Sequence, residues 1–143
     1  MSWGESDSNS LECLVGIRIL LVEDEPDIAE LLTMILEAAG AQVMAFINAE
    51  AALDSLESLH PDILLCNAIL PYHHGNWLIK QIRGHSSPYL RQLPAIAITS
   101  YTREFSINQA LDAGFDRFLI KLESLEEIEG VIVELLSTHS YTD

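Results

Sequence analysis

Short apolar runs alternate along this chain with longer segments of helical period, and this alternation constrains the fold more than any other feature. The apolar runs are rich in β-branched residues and cover positions 17–22, 43–46, 63–67, 95–98 and 118–120. In the longer segments, apolar residues recur every three or four positions, as they do along one face of a helix. Strands that alternate with helices predict βαβ units and a parallel sheet.

The pattern predicts five strands and five helices, and the preference for right-handed crossovers leaves few ways to connect them. We expect an α/β fold: a flavodoxin-like, doubly wound, five-stranded parallel sheet with strand order 2-1-3-4-5. In this order the functional crevice lies at the carboxyl ends of strands 1 and 3. Segment 84–94 is predicted to be the longest irregular connection.

Local signals place the first two helices. Pro26 suits the first turn of a helix over 26–39, and Gly40 suits its left-handed end. Asn48 is predicted to cap the second helix, because its side-chain oxygen can accept a hydrogen bond from a backbone N–H in the first turn.

The composition indicates one globular domain with a strong negative charge. Of 143 residues, 49% are hydrophobic and 20% are charged, enough to build a core. We expect a flexible acidic segment over 1–14 and a folded domain over 15–140. The 22 acidic residues outnumber the 7 basic ones, for a net charge of −15. This balance argues against nucleic-acid binding, which depends on Lys and Arg, and favours protein partners with basic or apolar patches.

Cysteine content and hydropathy indicate the cellular compartment in which the protein is expected. Cys13 and Cys66 do not form a disulfide framework, and Cys66 is predicted to be a small buried hydrophobe. The N-terminus lacks the basic and apolar regions of a signal peptide. No run of about 18 apolar residues occurs, so no membrane span is expected. We therefore expect a cytoplasmic location.

Polar residues follow the predicted strands at the edge where their carboxyl ends meet. They are Glu23 and Asp24 after the first strand, Asn67 at the end of the third, Thr99 after the fourth and Lys121 after the fifth. Any one alone has a structural explanation; acidic residues near a helix start, for example, favour the helix dipole. Together, at the ends of four strands, they indicate a functional site.

This arrangement resembles the response-regulator receiver domain of two-component signalling, over roughly residues 16–138. The resemblance implies that Asn67 occupies the position of the phosphorylated aspartate. It also implies that Glu23 and Asp24 hold Mg²⁺, with the side chain at position 67 and the backbone carbonyl of Ile69 as further ligands. Such a hard cation takes carboxylate oxygens and keeps several waters.

The same resemblance assigns the remaining site residues. Thr99 and Phe118 correspond to the residues that respond to the phosphoryl group, and Lys121 corresponds to the lysine that contacts it. Two departures from the family accompany Asn67. Leu122 replaces the usual proline after the lysine, so we expect a trans bond between Lys121 and Leu122. A bulky segment, 72–74, contains two adjacent histidines that suggest a metal, although such neighbours in a loop are usually solvated.

Asn67 decides the expected chemistry, since acyl phosphate formation needs a carboxylate nucleophile and an amide oxygen is a poor one. Loss of one negative charge should also weaken Mg²⁺ binding. Asp62 is a poor substitute, because five residues of strand place it roughly 16 Å away at the opposite edge. Asn67 keeps an acceptor oxygen and gains donors, so it can reproduce part of the hydrogen-bond network.

We therefore expect a receiver-like signalling module that acts by protein–protein interaction and is neither an enzyme nor phosphorylated at Asn67. The expected partners are a histidine kinase, a phosphotransfer protein or a downstream output protein, and the expected state is a monomer or weak dimer. Two alternatives stay open. One is an ordinary Mg²⁺-dependent receiver in which the aspartate was changed to asparagine in the laboratory. The other is a flavodoxin-like redox or nucleotide-binding protein, although segment 23–27 has no glycine-rich phosphate loop.

Overall fold

Five short strands form one sheet in which all neighbouring strands run parallel. The computed structural model describes residues 13–99, 104–120 and 126–139. The strands are β1 (Arg18–Val22), β2 (Gln42–Phe46), β3 (Ile63–Asn67), β4 (Ala95–Thr99) and β5 (Arg117–Ile120). Their order is β2-β1-β3-β4-β5. The predicted doubly wound topology is therefore confirmed.

The described residues contain six helices, where the sequence predicted five. The helices are α1 (Pro26–Ala38), α2 (Ala49–Leu59), α3 (Gly75–Arg83), α4 (Pro88–Arg91), α5 (Glu104–Ala113) and α6 (Ile128–His139). The additional helix, α4, lies in the connection predicted to be irregular. It is a single turn of 4 residues that begins at Pro88, and one turn is too short to produce a periodic apolar pattern.

The helix ends follow the predicted local chemistry. Pro26 occupies the first turn of α1, and the chain turns at Gly40 with φ of +102°. The Asn48 side chain accepts a hydrogen bond of 2.8 Å from the Ala51 N–H and caps α2. These helix ends could be predicted from the sequence because each depends on one residue and its immediate neighbours.

The sheet is covered by helices on both faces, so its central strands are apolar on both sides. Leu20, Leu64 and Ala97 point to one face, where α2, α3, α4 and α5 supply the facing apolar side chains. Ile19 and Leu65 point to the other face, which is covered by α1 and α6. Alternate residues of one strand therefore enter two separate cores, and the sheet is held between them.

The amino edge of the sheet is tied together by charged side chains. Asp62 accepts a hydrogen bond of 2.8 Å from the backbone N–H of Arg18 at the start of β1. Asp62 thus lies at the edge opposite Asn67, as predicted. Arg83 donates hydrogen bonds to the carbonyls of Gly114 at 2.9 Å and Leu93 at 2.7 Å, and its guanidinium also pairs with Asp116 at 3.2 Å. Burial lowers the pKa of Arg83, and the Asp116 carboxylate opposes this shift.

Several sequence predictions concern positions outside the described residues. These are Lys121, Leu122 and the Lys121–Leu122 bond, together with most of segment 1–14. In the described part of the chain, no helix has the length and apolar character needed to cross a membrane.

Replacement of Arg83 by alanine is expected to lower the free energy of unfolding by about 2 kcal/mol, because buried carbonyls and Asp116 lose a charged donor. The melting temperature should fall by roughly 6 °C. Arg117→Ala is the matched control, since Arg117 is exposed and donates only to the carbonyl of Asp116 among the contacts described for it. Equal melting temperatures for the two variants, measured by circular dichroism, would contradict this role for Arg83.

Candidate functional site

The carboxyl edge of the sheet contains the buried polar residues of the described chain. Glu23, Asn67 and Thr99 are 1%, 4% and 2% exposed, and they are the buried polar or charged residues found in the described ranges. They lie directly after β1, at the end of β3 and at the end of β4. Because burying such groups is costly unless they find partners, their concentration at one edge marks a site rather than ordinary surface.

The side chain of Asn67 joins the acidic residues that follow β1. Its Nδ2 donates hydrogen bonds to Glu23 Oε2 at 3.1 Å and to Asp24 Oδ1 at 3.2 Å. Its Oδ1 accepts a hydrogen bond of 3.1 Å from the backbone N–H of Ile69. The sequence predicted that Asn67 would reproduce part of the hydrogen-bond network, and the structure shows that both N–H donors are directed at the carboxylates.

The surrounding groups determine which way this amide points. An asparagine oxygen and nitrogen are assigned from their hydrogen-bond partners. If the amide were reversed, its NH₂ group would face the Ile69 N–H, and its oxygen would face two carboxylates. Both contacts would be repulsive, so the nitrogen must face Glu23 and Asp24.

This orientation bears on whether the site fits Mg²⁺. A divalent cation between Glu23 and Asp24 would meet the positive end of the Asn67 N–H bonds instead of a third oxygen ligand. Among the described residues, no group of three or more His, Cys, Asp or Glu side chains is arranged to hold a metal ion. Glu23 and Asp24 would supply two carboxylate oxygens to Mg²⁺, and the Asn67 amide would have to turn away from them before its own oxygen could bind the ion.

The structure describes only some of the other predicted site residues. Thr99 is buried at the end of β4, one residue beyond Ile98, which pairs with Asn67 in the sheet. Phe118 is partly buried in β5 and packs against the core on the α2 and α3 side. Lys121 lies outside the described residues, so the predicted convergence is observed for Glu23, Asp24 and Asn67.

The thiol of Cys66 lies next to residue 67 in β3 but is poorly placed to act as a nucleophile. Cys66 is fully buried and its thiol contacts the carbonyl of Asn67 at 3.3 Å. Burial raises the pKa of this thiol, and the Glu23 carboxylate raises it further. Cys66 therefore remains a protonated thiol at neutral pH, whereas nucleophilic cysteines react as thiolates.

The loop between β3 and α3 is closed by its own backbone. Gly75 donates a hydrogen bond of 3.1 Å to the carbonyl of Ala68. A side chain at position 75 would place its Cβ 2.6 Å from the carbonyl oxygen of Asn67. This position therefore requires glycine for the close approach of α3 to β3.

The bulky segment 72–74 lies in this loop, and its two histidines have different partners. His73 stacks on Trp77 with ring centroids 4.0 Å apart, and its Nε2 lies 3.3 Å from Glu50 Oε2. His74 Nδ1 accepts a hydrogen bond of 3.3 Å from the Leu70 N–H. Tyr72 has φ of +67°, a conformation that aromatic residues seldom adopt. No residue pattern predicted this backbone or the exposure of Ile47 directly after β2.

Comparison with known proteins places this chain in a family. The model of the response regulator receiver domain matches residues 19–133. A 14.6 kDa protein of Leptolyngbya boryana, described as uncharacterized, is 39% identical over 122 residues, which cover 85% of this chain and 92% of that protein. The phosphate regulon transcriptional regulatory protein PhoB of Escherichia coli is 31% identical over 78% of this chain, and the match spans 48% of PhoB. The chain thus spans about half the length of this regulator.

Solved structures agree with the sequence matches. The signal receiver domain of a histidine kinase from Syntrophus aciditrophicus superposes with a TM-score of 0.79 at 30% identity, covering 90% of this chain and 96% of that one. A two-component response regulator from Clostridium difficile gives a TM-score of 0.77 at 27% identity, covering 85% and 96% of the two chains. These matches favour a signalling module over the redox or nucleotide-binding alternative. The chain belongs to the response regulator receiver domain family.

Proposed function

We propose that this receiver domain acts in two-component signalling by binding other proteins and is not phosphorylated at position 67. The observation that supports this most directly is the Asn67 amide, whose nitrogen bonds both Glu23 and Asp24. An amide at the acceptor position lacks the carboxylate oxygen that must attack the phosphoryl donor. Two groups of the same strand segment are poor substitutes, since Cys66 is a buried thiol and Asp62 lies at the opposite edge of the sheet.

The amide also has a structural role in this proposal. Two carboxylates that lie close together repel each other unless a cation or hydrogen-bond donors lie between them. In this site the Asn67 NH₂ group supplies one donor to each carboxylate. The acidic pair is therefore stabilised without a bound cation, and Mg²⁺ is at most weakly held.

Such a crevice would keep one arrangement regardless of phosphoryl donors. Receiver domains interact with histidine kinases and output domains, and we propose that this one binds a kinase, a phosphotransfer protein or an output protein in that constant state. Its net charge of −15 argues against direct binding to nucleic acid. We propose no enzymatic activity for the domain, because the amide at position 67 lacks the carboxylate nucleophile of an acceptor aspartate.

The first prediction concerns phosphoryl transfer. Incubation of the protein with acetyl phosphate and Mg²⁺ should leave its intact mass unchanged, because residue 67 lacks a nucleophilic carboxylate. The Asn67→Asp variant restores that carboxylate and serves as the matched comparison. A stoichiometric phosphoryl adduct on the unaltered protein would refute the proposal. Rapid labelling of Asn67→Asp alone would show that the rest of the site is competent, and would favour the reading of an ordinary receiver with an introduced Asp→Asn change.

The second prediction concerns the metal. The melting temperature of the unaltered protein should be the same in Mg²⁺ and in EDTA, since the amide already bridges the acids. Asn67→Asp brings a third carboxylate to this edge, so it should be less stable in EDTA. Saturating Mg²⁺ should then raise its melting temperature by on the order of 5 °C.

In the same experiment, the Asn67→Ala variant distinguishes the effect of losing the two hydrogen bonds from the effect of adding a negative charge. It removes both donors to the acidic pair but adds no charge, so it should lose stability and recover only part of it with Mg²⁺. A large Mg²⁺-dependent rise in the melting temperature of the unaltered protein would contradict the bridging role of the Asn67 amide.

A further inference from the structure

Three large apolar side chains project into solvent at the carboxyl edge of the sheet, around the acidic crevice. Ile47, Ile69 and Tyr72 are 68%, 54% and 89% exposed. We refer to these three residues as the carboxyl-edge patch. Single exposed apolar residues are common on protein surfaces. Here Ile69 and Tyr72 share the loop after β3, and Ile47 lies just before the helix whose Glu50 contacts His73 of that loop.

The strand order fixes the relation between these loops. Ile47 follows β2 and Ile69 follows β3, and β1 lies between these two strands. Adjacent strands are about 4.8 Å apart, so the ends of β2 and β3 lie roughly 10 Å apart. Hydrogen bonds hold the edge together, from the Glu23 N–H to the Phe46 carbonyl at 2.9 Å and from the Asn67 amide to Glu23 at 3.1 Å.

The loop that presents Tyr72 is ordered by contacts on both sides. His73 lies between the ring of Trp77 on α3 and the carboxylate of Glu50 on α2. Tyr72 itself has a left-handed backbone with φ of +67°, which is unfavourable for a residue with a Cβ. The loop therefore holds an aromatic side chain in solvent at a cost to stability. Strained residues that persist in this way tend to occur at functional positions.

In the described loops that follow the first three strands, the Asp, Glu, Lys and Arg residues are all acidic. Segments 23–27, 47–50 and 67–75, which form the loops after the first three strands and the first turns that follow them, contain Glu23, Asp24, Glu25, Asp27 and Glu50 and no Lys or Arg. Glu25 and Asp27 are exposed. An exposed apolar surface bordered by carboxylates is complementary to a surface in which apolar side chains alternate with basic ones.

We propose that the carboxyl-edge patch is the docking site for a basic protein segment that inserts apolar side chains between Ile47, Ile69 and Tyr72 while its Lys or Arg residues pair with Glu25 and Asp27. This inference rests on the proposed function, because it assigns a surface to a domain that acts by protein binding. A second copy of this chain is a poor occupant, since two chains that each carry a charge of −15 repel each other.

Panning of a random 12-residue phage-displayed peptide library against the full chain tests this proposal. Enriched peptides are expected to combine Lys or Arg with large apolar residues, and synthetic copies provide affinities by fluorescence anisotropy. Tyr72→Ser and Ile69→Ser should each weaken binding roughly tenfold, as is common for central apolar contacts. Glu25→Gln combined with Asp27→Asn should weaken binding and reduce its salt dependence.

Two further variants separate binding from folding. Tyr72→Gly relieves the left-handed strain, so it should raise the melting temperature while weakening peptide binding. Met34→Ser is the matched control, because Met34 is 62% exposed but lies on α1 about two turns from the carboxyl edge. Its affinity for the peptides should equal that of the unaltered protein.

Several results would overturn the inference. They are the absence of enriched peptides, enrichment of peptides without basic residues, or affinities that are insensitive to Tyr72→Ser and Ile69→Ser. A dimer in sedimentation experiments that is lost in Tyr72→Ser would identify a second copy as the occupant instead. The phosphoryl-transfer test is read by mass and the docking test by affinity, so each can fail without the other.

Discussion

Two hydrogen bonds from the Asn67 amide connect the end of β3 to the acidic residues that follow β1. The rest of the carboxyl edge depends on this connection, because β1 and β3 are the central pair of strands from which the crossovers diverge. Without a donor between them, the carboxylates of Glu23 and Asp24 would repel each other in a partly buried space. One amide therefore supplies a hydrogen-bond donor to each of the two carboxylates.

The opposite edge of the sheet is held by a different kind of contact. There Arg83 brings a full positive charge to the carbonyls of Leu93 and Gly114 and to the Asp116 carboxylate. Hydrogen bonds to a charged donor are stronger than those between neutral groups. The amino edge is thus fixed by charge, and the carboxyl edge is fixed by a neutral amide placed among acids. A neutral link suits an edge whose loops face solvent and potential partners.

Most of the fold could be predicted, because its signals are local and repeated. The apolar alternation gave the strands and their order, Gly40 gave the end of α1 and Asn48 gave the cap of α2. The single turn of α4 was missed because four residues cannot display a helical period. In the site, the sequence identified Asn67 and the acids but not the amide orientation, which depends on the Ile69 N–H. The backbone of Tyr72 was also unpredictable, since it opposes the residue's own preference.

The contact between Gly75 and β3 has a consequence for how the site can change over generations. A Cβ at position 75 would lie 2.6 Å from the backbone oxygen of residue 67, so α3 is seated against the main chain there and not against the side chain. Exchange of Asn67 for aspartate would leave this main-chain contact unchanged and keep an oxygen to accept from the Ile69 N–H, so α3 and the loop before it can stay in register. A change at residue 67 can therefore alter the charge of the crevice in one mutational step while the main chain around it stays in place.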